Sequence, residues 1–430
     1  MNLKLIKELP ELIENKVISK EVALSIEQYY HSKQNNSPNK LFMVFGVLGS
    51  ILVGLGIILI LAHNWDDFTR STKTIFAFLP LLIGQFFVGF SILKKKSATW
   101  KEASGTFLFF AVGASISLVA QIYNIPGNMS SFLLTWILLC LPLIYLLKSN
   151  SIMILHLVFI TWYACSYGYS FMNYGNSPWL YLALLALSLP HYWQLLKHKL
   201  DANITSIINW LVPLSLIITL GTFVEHEEAL GFLLYLLLFS LFYNIGKIPY
   251  FENQKLRRNG FLITGSLGIV TILLIASFRW LWKDIIRIDS FQVQELYMSA
   301  ILFLMSILTL VYLYLKHKVK SFNIFQFVFV IFTVLFFIGI NNEIVPAILV
   351  NMLIFALGVV TVKIGADKFH FGVLNYGLLI IAALVTCRFF DTDMSFVLRG
   401  LLFVGVGVGF FLTNYYMLKK QKSKTNSLKQ

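Results

Sequence analysis

An all-α, polytopic bundle of about fourteen transmembrane helices, N-in and C-in, is the fold class this sequence predicts, on three observations. Hydrophobic residues make up 58% of the 430-residue chain and charged ones only 13%, more apolar surface than a soluble fold of this length can hide. Apolar runs of about 18 or more residues recur along the chain, each long enough to cross a hydrocarbon core of about 30 Å as a helix. Basic residues gather in the short segments between those runs, dense on alternate sides.

Taken in order, residues 2–31 read as two short helices joined at "ENKVIS". Leu3, Ile6, Leu9, Leu12 and Ile13 form one apolar stripe, Val22, Ile26 and Tyr29 another, and Ser19 is placed to cap the second helix. A hairpin this small cannot stand alone, so residues 1–36 are expected to dock on the membrane domain or to recruit a cytosolic partner. Residues 37–40, "SPNK", are the linker, 41–418 the transmembrane bundle, and 419–430 a basic cytoplasmic tail suited to anionic lipid. The hydrophilic start and the long first apolar run do not fit a cleavable signal peptide.

Within the bundle, spans are expected at 41–62, 74–93, 105–122, 131–147, 151–170, 178–196, 203–224, 229–246, 260–280, 298–315, 322–340, 344–363, 372–388 and 396–417. Charge tests that count, because one missed span would flip every later loop. With the N-terminus inside, 27 of the 34 basic residues fall on the inner face. The outer face keeps Arg70, Lys73, Arg279, Lys283, Arg287, Arg388 and Arg399. The net charge of +14 is therefore an orientation signal, and nucleic acid is not an expected partner. The stretch 281–297 reads as an amphipathic segment in the outer interface, with Trp280 and Trp282 at headgroup level.

Polar residues collect at the outer helix ends. "AHNWDD" sets His63, Asn64, Trp65 and Asp66 at the end of the first span, and "AQIYNIPG" sets Gln121, Tyr123 and Asn124 at the end of the third. Asp391 and Arg399 flank the last outer loop, and a guanidinium at the edge of an apolar run needs a partner such as Asp391 or Asp66. These nine residues are the candidate ligand-binding set. Against it stands a plainer account, in which Trp65 anchors at the interface and Asp67 or Thr69 caps the second membrane helix. His63 and His226 with nearby carboxylates lack the spacing of a metal site, and Cys140, Cys165 and Cys387 lack CxxC spacing, so no metal and no cofactor is expected. Nucleophile and phosphate-loop motifs are also missing, which points away from a readily recognised enzyme. Inside the spans, His156 and His191 are expected to bond a neighbouring helix, and the glycines of the first and last spans to serve packing.

"SIEQYY", "LVGLGIILILAHNWDDFTRSTK", "GASISLVAQIYNIPGN" and "TWILLCLPLIYLL" together resemble the bacterial membrane family known as domain of unknown function 2157, over residues 1–150. "FVLRGLLFVGVGVGFFLTNYYMLKK" resembles a terminal helix common in such proteins. The resemblance implies a multi-pass protein of the bacterial cytoplasmic (inner) membrane and brings no activity or functional residues with it. The leading expectation is an outward-facing binding or transport protein for a small polar or lipid-linked ligand. The alternatives are a scaffold acting through residues 1–36 and a membrane enzyme working on an envelope lipid or glycan. Oligomeric state is left open.

Overall fold

The computed structural model describes residues 3–35, 65–169, 177–224, 228–286, 293–317, 322–391 and 396–427. Among these, every regular element is helical. Two compact units divide the chain, Met1–Phe76 and Ala77–Gln430. In the first unit, α1 (Leu3–Glu14) and α2 (Lys20–Asn35) form the expected hairpin, burying Leu9 and Ala23. Ser19 starts α2 as expected, its Oγ accepting from the Val22 amide at 3.3 Å. The expected span at 41–62 lies outside the described residues, as do His63 and Asn64.

Each of the other thirteen expected spans falls on a helix. These are α3 (Arg70–Leu93), α4 (Ala98–Tyr123), α5 (Met129–Leu147), α6 (Asn150–Gly168), α7 (Trp179–His198), α8 (Asn203–Leu220) and α9 (Glu228–Gly246). They continue as α10 (Gly260–Ala276), α11 (Val293–His317), α12 (Val328–Gly339), α13 (Ile344–Asp367), α14 (Phe371–Asp391) and α15 (Phe396–Ser427). Nine helices among the described residues are long and apolar enough to cross a membrane, and α10 and α12 are shorter apolar helices. Their outer faces stay apolar where water would demand polarity: on α11, Ile301, Leu304, Leu308 and Leu315 are all exposed. Such a stripe is stable only against lipid or another helix. The chain is a multi-pass membrane protein.

Helix α9 sits at the centre of the second unit, with 83% of its apolar stretch buried. It is hydrophobic all round and feeds two cores, as a fully buried helix must. Leu234, Leu238 and Phe242 join a core built on α4 to α8, while Leu230, Leu233 and Leu237 join one built on α10 to α14.

Bonds between connecting segments show the alternation of helix ends. At one end, Glu102 before the apolar part of α4 accepts from the amides of Asn150 and Ser151 at 2.9 Å, and His191 of α7 meets Asn150 Oδ1 at 3.2 Å. Arg258 reaches Asp201 and Asn203 at the same end. At the other, Gln294 donates to Ser177 at 2.6 Å, Asn351 to the Ser277 carbonyl at 2.9 Å, and Arg279 pairs with Glu343. His156 bonds the Leu184 carbonyl at 3.0 Å, so both membrane histidines are held by neighbouring helices as expected.

Two expectations need correction. Trp282 is 1% exposed, not at headgroup level: it folds back inside a five-residue π-turn, Leu281–Ile285, and donates to the Ala276 carbonyl at 2.7 Å. Residues 293–297 belong to α11 and not to an interfacial segment, while Trp280 is exposed as expected. The glycines of the last span meet no close neighbour among the described residues either. Among the described residues nothing lies within 4 Å of a Cβ placed at Gly400, Gly405, Gly407 or Gly409. Close helix approach is found instead at Gly358, Gly365 and Gly377, between α13 and α14.

Candidate functional site

Of the nine candidate residues read from the sequence, two lie outside the described residues and two more, Asp391 and Arg399, have described backbone but not side chains. Of the remaining five, Trp65 and Asn124 have legible local roles and the other three are exposed. Trp65 is partly buried beneath Lys73, whose Nζ stands 5.7 Å from the indole centroid, and Asp66 is exposed. Thr69 caps α3 through its Oγ1, which accepts from the Thr72 amide at 3.3 Å. Thus the "WDDFT" part of the motif is the approach to a helix start.

"QIYNIPGN" is likewise a linkage between helices. Asn124 takes the left-handed conformation, φ 52°, that ends α4, and the Ile125 amide closes on the Ala120 carbonyl at 2.9 Å. Asn128 then caps α5, its Oδ1 accepting from the Ser131 amide at 2.8 Å. Gln121 and Tyr123 are exposed on this corner.

A different place gathers chemistry. A cavity of about 930 Å³ opens among α9, α10, α13 and α14, at the end of the bundle that carries the basic segments. Among the described residues four cations line it, Lys247, Lys255, Arg257 and Lys368, against a single carboxylate, Glu252. Lys247 pairs with Glu252 at 3.3 Å and lies over the buried Tyr243 ring, 5.9 Å from its centroid.

Helix ends build the rim. Asn259, almost fully buried, caps α10 by accepting from the Leu262 amide at 3.0 Å and ties down the last turn of α9 by donating to the Gly246 carbonyl at 2.8 Å. Gly246 permits this, because a Cβ there would stand 2.6 Å from the Leu262 nitrogen. Across the cavity, α13 turns into α14 in three residues: the His370 amide bonds the Gly365 carbonyl at 2.9 Å and Phe369 takes φ 52°. His370 Nδ1 accepts from the Val373 amide at 3.2 Å and so caps α14. The N-termini of α10 and α14 therefore both face the cavity and add their positive ends to the four cations.

Between the charged groups the lining changes character. Leu262, Ile263, Phe325, Ile364 and Val373 are apolar, while Ser266 donates to the Tyr376 hydroxyl at 3.0 Å and ties α10 to α14. Asn323 donates to the Tyr243 hydroxyl at 2.8 Å, joining the segment before α12 to α9. Leu267, also on the lining, lies seven residues beyond the start of α10, about 10 Å along the axis. It is 49% exposed.

Nothing in the linear sequence marks this site as one place. Lys247 and Lys255 precede Lys368 by more than a hundred residues, and each figured only as part of the basic loops that orient the bundle. The available signal was the shared side of those loops. Among the described residues no cluster of three or more His, Cys, Asp or Glu is placed to hold a metal. The arrangement can take up an anion, with apolar material beside it.

The family described as Predicted membrane protein (DUF2157) matches residues 10–153, which bears out the resemblance carried by "AHNWDD" and "AQIYNIPG". No curated protein and no solved structure matches the chain. Every residue lining the cavity lies beyond the matched stretch.

Proposed function

Starting from a multi-pass membrane protein with that family's domain over residues 10–153, we propose that the chain binds an anionic organic ligand in the cavity between α9, α10, α13 and α14. One observation carries the reading: four cations and two helix N-termini surround about 930 Å³ of space that holds one carboxylate. A volume at the top of the range of about 300–1,000 Å³ typical of small-molecule sites exceeds what a lone inorganic ion needs. The excess of Lys and Arg in these loops supports a cytoplasmic placement of the cavity, in a bacterial inner membrane with both termini inside. The site is therefore inward-facing, unlike the outward-facing site expected from the polar helix ends.

The test is thermal stabilisation of the purified chain in neutral detergent by a panel of anions, from pyrophosphate to dodecyl phosphate. At least one is expected to raise the unfolding midpoint of the wild type and to lose most of that effect in a Lys247→Gln, Lys368→Gln double variant. Identical shifts in both proteins would refute the reading. The outward-facing reading rests on His63, Asn64, Trp65, Asp66, Gln121, Tyr123, Asn124, Asp391 and Arg399 and is tested separately. Asp66→Ala and Arg399→Ala variants that stay folded and leave every ligand response of the wild type unchanged would remove it.

A further inference from the structure

Resting on the anion-binding reading, we infer that the occupant is an anionic phospholipid of the surrounding leaflet, taken in sideways between α10 and its neighbours, and not a soluble anion entering from water. Three features of the cavity point to an amphiphile. The cations are confined to segments outside or at the ends of helices, Lys247, Lys255, Arg257 and Lys368, where phosphate groups of a bilayer lie. Below them stands a pair of hydroxyls, Ser266 and Tyr376, at the depth of a glycerol backbone. Around them the lining is aliphatic, at Leu262, Ile263, Ile364 and Val373, and Leu267, one residue beyond Ser266, both lines the cavity and is 49% exposed. An exposed apolar wall residue this far along a membrane helix is where acyl chains would leave sideways.

A soluble anion would use the cations and leave the apolar lining with no role. An uncharged lipid would use the apolar lining but gain nothing from the cations, and a zwitterionic one brings its own ammonium to a rim where cations outnumber carboxylates four to one among the described residues. An anionic phospholipid satisfies both, and a basic pocket between membrane helices is the setting in which such headgroups are recognised.

The experiment is native mass spectrometry of the full chain released from bilayers of equal phosphatidylglycerol and phosphatidylethanolamine, paired with pyrophosphate titration by thermal shift in lipid-free detergent. Phosphatidylglycerol is expected to be retained in preference, and each rim cation changed to Gln is expected to weaken that preference about five-fold. Leu267→Trp fills the opening from a half-exposed position. It is expected to abolish lipid retention in a protein whose unfolding midpoint in lipid-free detergent matches the wild type. If pyrophosphate stabilises the wild type but no phosphatidylglycerol is retained above phosphatidylethanolamine, the lipid inference falls and the anion cavity stands. If neither probe distinguishes wild type from Lys247→Gln, Lys368→Gln, both fall. Retention unchanged in Leu267→Trp overturns the lateral opening.

Discussion

Glu102 shows how much one residue can tie together inside a membrane protein. Its carboxylate accepts from the Ser149 hydroxyl, from the amides of Asn150 and Ser151, and from the Asn150 side chain, so it completes the N-terminus of α6 from a different helix. The negative charge also faces the positive end of α6. Changing Glu102 to Ala strands several donors and is expected to lower stability by about 2 kcal/mol. Glu102→Gln, which keeps one acceptor, is expected to lose about half as much. Unfolding in mixed micelles of a neutral and a denaturing detergent measures both, and equal midpoints for all three proteins would show that the bonds are replaced by water. In the sequence Glu102 is only one of the few acids in the basic loops. Its partners are more than forty residues away, and no local pattern connects them. His156 and His191 are different: a histidine within an apolar run demands a partner wherever the fold puts it, so that much was legible, although the identity of the partner was not.

At the scale of elements, the α13–α14 hairpin depends on close backbone approach. A Cβ at Gly377 would stand 2.5 Å from the Val362 nitrogen and 2.8 Å from the Gly358 carbonyl oxygen. Gly377→Val is therefore expected to destabilise by about 2 kcal/mol or more and, because α13 and α14 both line the cavity, to weaken anion binding with it. Gly407→Ala on α15, where nothing described lies within 4 Å, is expected to leave the midpoint unchanged or slightly raised. The comparison is a direct check on which glycines pack. Sequence reading favoured the dense run in the last span, because spacing is all it can see, whereas what matters is whether a second backbone comes close. Helix positions were far more legible than helix faces. Apolar length and loop charge located the helices, but Trp282, read as an interfacial anchor, turned inward because its indole nitrogen found the Ala276 carbonyl at the C-terminal end of α10.

For the whole molecule, charge predicts sidedness. Lys255 and Lys283 are both exposed, one on the cavity rim and one in the loop after α10. In a chain with Cys140, Cys165 and Cys387 replaced by Ser, Lys283→Cys is expected to react with an impermeant maleimide in intact spheroplasts. Lys255→Cys is expected to react only after lysis. The opposite labelling pattern would invert the orientation and place the cavity outside. Alternation of the helix ends was readable because lysines and arginines outnumber acids so strongly on one side. The cavity was not, since it is a property of four helices meeting and no single helix carries its signature.

The Lys247–Glu252 pair gives the cavity a built-in rival for any guest. The carboxylate is tethered five residues from the ammonium it neutralises, so its local concentration never falls, and an arriving anion must displace it before it can claim Lys247. Uptake becomes an exchange of partners instead of a simple capture, and departure is assisted because Glu252 returns as the guest leaves. Removing the rival with Glu252→Gln should tighten occupancy and slow release together, whereas a protein built only to hold its guest would gain nothing from keeping a competitor at the door.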